Sequence, residues 1–134
     1  APMLFTRAIL ESQPIKVFNF GKMRRDFTYV DDIVEGIVRV LVLPPAGNPV
    51  NAPHTIYNIG NHAAVELETF IGVLERLLGR PAVKEYLPLQ AGDVPETFAS
   101  VDRLAAATGF APTTPIDEGL ARFVAWYREY YRVQ

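Results

Sequence analysis

Cysteine is absent from the 134 residues, which excludes disulfides, a thiolate nucleophile and cysteine-ligated zinc. It fits a reducing compartment, with the cytoplasm the expected location. Charge of one sign is scarce as well. The 13 Lys and Arg stand against 15 Asp and Glu, a formal net charge of -2, so no broad basic field exists to hold a nucleic-acid backbone or an anionic membrane. Any anionic ligand must be gripped locally. Long uncharged runs are missing too. The longest apolar stretch, Ile37 to Pro45, is interrupted by Arg39 and falls short of the ~20 residues a membrane span needs. The opening Ala-Pro-Met-Leu-Phe-Thr-Arg lacks the basic start and apolar middle of a signal peptide. Because the chain starts without Met and runs almost at once into helical spacing, a piece of a longer protein is expected.

Two catalytic signatures are also missing. No strand is followed by a Gly-rich dinucleotide fingerprint. No tyrosine has a lysine four residues later, the spacing at which a catalytic phenol is commonly activated: Tyr29, Tyr57, Tyr86, Tyr127 and Tyr130 are followed there by Ile33, Asn61, Gln90, Tyr131 and Gln134. His54 and His62 have no partner at metal-ligand spacing and read as surface residues. What remains is 49% hydrophobic and 21% charged, the profile of one ordinary globular domain with a core of its own.

Apolar spacing predicts a helix over residues 3–12, ended by Pro14, which denies a backbone donor. Ile15 to Phe18 reads as a brief strand closed by Asn19-Phe20-Gly21, and Phe27 to Val30 as a second β-rich run. Asp32 has the form of an N-cap, with Glu35 three residues on, for a helix that runs to Pro44-Pro45. Ala46 to His54, with Gly47, Pro49 and Pro53, reads as a loop, and Thr55 to Ile59 as a strand. Leu67, Phe70, Ile71, Leu74, Leu77 and Leu78 mark a helix stopped by Gly79 and Pro81. Short strands are expected at 83–86 and 97–99 and a short helix from Asp102 to Thr108. A last helix is expected with Thr114 as cap and Pro115 as its first residue.

Two loops carry candidate chemistry. In Gly21-Lys22-Met23-Arg24-Arg25-Asp26-Phe27, three cations surround a turn, and a guanidinium fork suits a diphosphate. By spacing alone, a solvated turn with an Arg25-Asp26 or Arg24-Asp26 surface pair accounts for it better. In Gln90-Ala91-Gly92-Asp93-Val94-Pro95-Glu96, an amide and a carboxylate stand where ribose hydroxyls or a neighbouring Arg would meet them. By spacing alone, an ordinary turn with Asp93 bonded to its own backbone accounts for it better.

Taken together, Phe5-Thr6-Arg7-Ala8-Ile9-Leu10-Glu11, the run Gly21 to Ile33, Tyr57-Asn58-Ile59-Gly60 and Gly92-Asp93-Val94-Pro95-Glu96-Thr97 resemble the C-terminal part of NAD-dependent nucleotide-sugar epimerases. These belong to the extended short-chain dehydrogenase/reductase superfamily, and bacterial UDP-glucuronate 4-epimerases are the nearest match. The resemblance implies a mixed α/β fold with helices packed on a few short strands. It implies that residues 1–134 form a single substrate-binding domain, whose N-terminal Rossmann partner, carrying NAD and the catalytic Tyr and Lys, is not in this sequence. No cofactor is expected on this chain. By the same resemblance Arg25 contacts the diphosphate, Gln90 and Asp93 lie near ribose and phosphates, and Lys16-Val17-Phe18 forms the strand at the uracil edge. Asn58 and Gly60 are structural. The Arg-Pro-Asp-Met element that usually precedes the first helix is represented by Pro2-Met3 alone.

The implied ligand is a UDP-sugar of the glucuronate and galacturonate class, and the implied setting is capsule or lipopolysaccharide precursor supply. Nucleic acid and membrane are not expected partners. An apolar face left by a missing domain is expected, which self-association into a homodimer would cover. A nucleotide-sugar 4,6-dehydratase or decarboxylase on the same scaffold, and a stand-alone binding module, remain open readings.

Overall fold

A computed structural model describes residues 1–47, 50 and 52–133. The elements run α1 (Pro2–Leu10), β1 (Pro14–Val17), a 3-10 turn (Phe18–Gly21), β2 (Arg24–Asp26), α2 (Val30–Leu41), β3 (Ala64–Glu66), α3 (Leu67–Leu78), β4 (Val83–Tyr86), α4 (Asp102–Thr108) and α5 (Ile116–Tyr131). The chain is mixed α/β, with two two-stranded sheets: β1 beside β4, and β2 beside β3. Two compact units divide it, one made of Ala1–Arg25, Ala64–Thr97 and Pro115–Gln134, the other of Asp26–Ala63 and Phe98–Thr114.

The first unit is organised by α3, whose leucine and aromatic spacing puts Phe70, Ile71, Val73, Leu74 and Leu78 into the interior. Around it pack Ile9 of α1, Ile15 and Val17 of β1, and Leu120, Val124 and Tyr127 of α5, all buried. Phe5 meets Phe70 edge-on, with ring centroids 6.2 Å apart. Gly79 ends α3 in the left-handed conformation that the predicted stop requires, at φ 68°. β1 and β4 run parallel, Pro14 opposite Val83 through Val17 opposite Tyr86. Paired residues of a parallel ladder share a face, so Lys84 and Tyr86 point with Ile15 and Val17 toward α3. There the Lys84 ammonium donates to Glu68 at 2.9 Å and lies 3.8 Å from Glu75, while the Tyr86 hydroxyl donates to Glu68 at 3.0 Å.

In the second unit α2 and α4 pack through a close approach at Gly36, where a Cβ would lie 3.1 Å from Ile59 and 3.6 Å from Leu104. The Asp26 carboxylate accepts backbone N–H groups from Asn61 at 2.9 Å and Ala99 at 3.0 Å, and Asp32 accepts that of Thr114 at 3.0 Å. Arg39 lies 5.1 Å over the Phe110 ring. Val34, Ile37, Val38 and Leu41 of α2 stand exposed along its other side.

Several expectations are corrected. Phe27 to Val30 is not a strand: the β2 ladder stops at Asp26, Tyr29 is the extended residue before α2, and Val30 already belongs to the helix. Asp32 is therefore in the first turn of α2 rather than its cap, and its carboxylate serves the Thr114 backbone instead. Thr55 to Ile59 forms no strand. Its β-prone residues meet no ladder partner among the described residues; Ile56 is exposed and its carbonyl accepts from Arg103 at 3.2 Å. In the predicted Ala46–His54 loop, residues 48, 49 and 51, Pro49 among them, lie outside the described residues, and the others form neither helix nor strand. Thr97 to Ala99 contributes no strand beyond the neighbouring bridge of Glu96 to Arg24. α5 begins one residue later than predicted because Pro115, with ψ 154°, is still extended. Strand β3, with three residues, is too short to leave an alternation pattern in the sequence.

Gly60 is buried where a Cβ would sit 2.5 Å from the Ala99 Cβ and 2.8 Å from the Asp26 carboxylate. Gly60→Ala will therefore destabilise the fold by about 1–3 kcal/mol, read as a lowered thermal midpoint; an unchanged midpoint would refute this close packing. Burial works against the Lys84 ammonium, but the Glu68 hydrogen bond and the Glu68 and Glu75 charges outweigh it and raise its pKa. The Tyr86 pKa is also raised, first by its hydrogen bond to Glu68. Folding thus favours the protonated form of both groups. Their contribution is complete below the unfolded values, near about pH 10, and is lost as pH rises through the raised ones. The thermal midpoint should fall as pH rises above about 10, and less steeply in Glu68→Gln; equal slopes would contradict the assignment.

Candidate functional site

The ends of β1 and β4 lie side by side because the strands are parallel, and ligands of α/β proteins gather outside such carboxyl ends. The register continues past the strands: Leu87 N–H donates to the Val17 carbonyl, and Phe20 N–H to the Leu87 carbonyl, both at 3.0 Å. After Val17 the chain makes a tight turn with Asn19 and Phe20 both at φ 51°, held by the Asn19 amide donating to the Lys22 carbonyl at 2.7 Å. Non-glycine residues in that left-handed region need support from their surroundings, asparagine least of all. Gly21, at φ 81°, completes the turn and delivers the chain to Arg24 and Arg25 on β2.

The loop after β4 returns to the same place. Gly92, at φ 83°, allows the turn in which Asp93 N–H donates to the Gln90 carbonyl at 3.1 Å. Its far end is laced to β2, with Arg24 N–H donating to the Pro95 carbonyl at 2.8 Å and Thr97 N–H to the Arg24 carbonyl at 3.2 Å. The Arg25 guanidinium crosses this seam. Its Nη2 donates to Asp93 Oδ1 at 2.9 Å, and its Nη1 to the carbonyls of Arg24 at 2.9 Å and Pro95 at 3.2 Å. The side chains of Arg25 and Asp93 retain 24% and 36% of their exposure, so the group is held yet still open to a ligand. Arg24 is turned elsewhere, toward the Ala64 carbonyl at 3.0 Å, with Glu96 at 3.7 Å.

The fold therefore joins Arg25 and Asp93, the two strongest residues of separate loops, 68 positions apart in sequence. The Asp93 carboxylate goes to Arg25, not to its own backbone. Gln90 is exposed beside it, and Phe18 is half-buried at the end of β1. Val17 is fully buried with its carbonyl taken by Leu87, and Lys16 is exposed opposite Glu85. Sequence reasoning passed over Glu68, Lys84 and Tyr86, whose only signal was an acidic residue in the first turn of a helix. A cavity of about 470 Å³ between α1 and α5, lined by Met3, Leu4, Arg7, Tyr127 and Tyr131 among others, holds none of the predicted residues.

His54 and His62 are exposed as read. Among the described residues no group of three His, Asp or Glu is placed to hold a metal ion, and no helix is long and apolar enough to cross a membrane. β3 passes directly into α3, β2 reaches α2 through Phe27-Thr28-Tyr29, and β1 is followed by a 3-10 turn, so no glycine-rich strand-to-helix turn stands among the described residues.

Residues 3–60 match the model of the NAD dependent epimerase/dehydratase family. The chain is 46% identical to "Probable UDP-glucuronate 4-epimerase" of Rhizobium meliloti (strain 1021), over 96% of this chain and 41% of that protein. It is 47% identical to "Protein CapI" of Staphylococcus aureus, over 96% of this chain and 42% of the relative. In structure it is similar to the UDP-glucuronic acid 4-epimerase of Bacillus cereus in complex with UDP-glucuronic acid and NAD. That match has a TM-score of 0.83 and 27% identity, covering 98% of this chain and 40% of that one. The chain thus spans about two fifths of the length of the relatives it matches. Over residues 3–60 it is thus similar to the NAD dependent epimerase/dehydratase family, in keeping with the resemblance its motifs carry.

Proposed function

We propose that this chain is the UDP-sugar-binding portion of an NAD-dependent epimerase acting on UDP-glucuronate, with hydride and proton transfer supplied by a cofactor domain outside this sequence. The observation that carries the reading is Arg25, held by Asp93 and two carbonyls at the carboxyl edge of the parallel pair. Similarity to a UDP-glucuronate 4-epimerase along nearly the whole chain supports it.

In this reading the Arg25 fork donates to the diphosphate, whose charge it meets without having to be reoriented. Asp93 and Gln90 face the ribose, and Phe18, with the neighbouring backbone of Lys16 and Val17, walls the base. An epimerase must release and re-present its sugar while keeping the nucleotide, so binding energy is best placed on UDP. A preformed guanidinium away from the sugar meets that need. The exposed apolar side of α2 is covered, in this reading, by the remainder of the longer protein.

In the full-length protein Arg25→Ala should raise the KM for UDP-glucuronate by about 1.5–3 kcal/mol, roughly 10- to 150-fold, with a smaller change in kcat. Arg25→Lys should recover only part of it, since a point charge lacks the fork. Steady-state kinetics with unchanged KM in Arg25→Ala would overturn the assignment.

A further inference from the structure

Glu68 stands outside the residues assigned to the nucleotide, yet it touches both elements that bracket them. It lies in the first turn of α3, where the free N–H groups favour a carboxylate. One oxygen accepts the Tyr86 hydroxyl at 3.0 Å and the other the Lys84 ammonium at 2.9 Å, so the end of β4 is tied to the helix. On its other side is Gly21, which closes the turn after β1. A Cβ on Gly21 would lie 2.6 Å from the Glu68 oxygen and 3.2 Å from its Cγ, so the side chain packs directly against that backbone.

The turn it abuts is the least self-sufficient piece of the site. Asn19 and Phe20 are consecutive residues at φ 51°, a conformation that persists only where neighbours enforce it. The enforcing contacts are the Asn19 side chain on Lys22, Phe20 N–H on Leu87, and Glu68 against Gly21. Leu87 in turn follows Tyr86 directly. Glu68 thus fixes the turn and the strand end against each other from below.

Resting on the reading of Phe18 and its turn as the wall of the base pocket, we infer that Glu68 is a positioning residue for the nucleobase end of the site. It holds the Phe18–Gly21 turn against Tyr86 and Leu87 and touches no part of the ligand. Its effect falls on the base, which all uridine nucleotides share, and not on the diphosphate, which Arg25 holds.

Calorimetric titration of the full-length protein with UMP and with UDP separates the two ends. Glu68→Ala should weaken both nucleotides by the same factor, about 5- to 10-fold, and Tyr86→Phe, which removes one hydroxyl and keeps the ring, by about 2- to 3-fold. Arg25→Ala should weaken UDP more than UMP. Wild-type affinities for both nucleotides in Glu68→Ala and Tyr86→Phe would overturn the inference, and so would a loss confined to UDP. Should Glu68→Ala not fold, the two Tyr86→Phe values decide alone. Wild-type UDP affinity in Arg25→Ala would instead overturn the diphosphate reading, so the two failures are distinct.

Discussion

The parallel pairing of β1 with β4 places the segments that follow both strands at one edge. The Phe18–Gly21 turn and the 87–97 loop are far apart in sequence. Each strand has only four residues, and such a short ladder is weak by itself. Its stability comes from the side chains on its inner face. Ile15 and Val17 are buried under α3, and Lys84 and Tyr86 are tied to the same helix through Glu68 and Glu75. The crossing hydrogen bonds of Leu87 then carry the register beyond the strands to the turn at Phe20.

The acidic residues near the arginine-rich turn divide into those that build and those that remain available. Asp26 and Asp32 spend their carboxylates on backbone N–H groups of Asn61, Ala99 and Thr114, which have no ladder to join. Donors left unpaired there would cost about 1–3 kcal/mol each. Gly60 is explained by the same packing, since a side chain there would displace the Asp26 carboxylate. Asp93 differs: it is partly exposed, and its partner is a guanidinium with further donors free to meet an anion.

Arg24 and Arg25 are adjacent and chemically identical, yet their surroundings give them different work. Alternation along β2 sends them to opposite sides. Arg24 goes to the Ala64 carbonyl and Glu96, while Arg25 is fastened at both terminal nitrogens over the seam between β2 and the loop. A guanidinium fastened in this way has little rotamer freedom left to lose.

Helices were the legible part of the chain, because their apolar period is long enough to recognise and their ends carry glycine or proline. α3 with Gly79 and α4 with Gly109 fall where spacing and stop residues place them. Strands of three or four residues have no such period, so β3 leaves no signal, while Phe27–Val30 and Thr55–Ile59 have the propensity of strands without forming them. Motif order carried the resemblance to nucleotide-sugar epimerases and, through it, the α/β class; the residues themselves showed the lack of any cysteine or dinucleotide turn and offered Arg25 and Asp93 as separate candidates. Only tertiary structure decided that these two meet, that Val17 turns its side chain inward, and that Glu68 lies against Gly21 while bonding Lys84 and Tyr86. Pairings across such separations depend on which strands find each other, and nothing in the local pattern of a short strand specifies its partner.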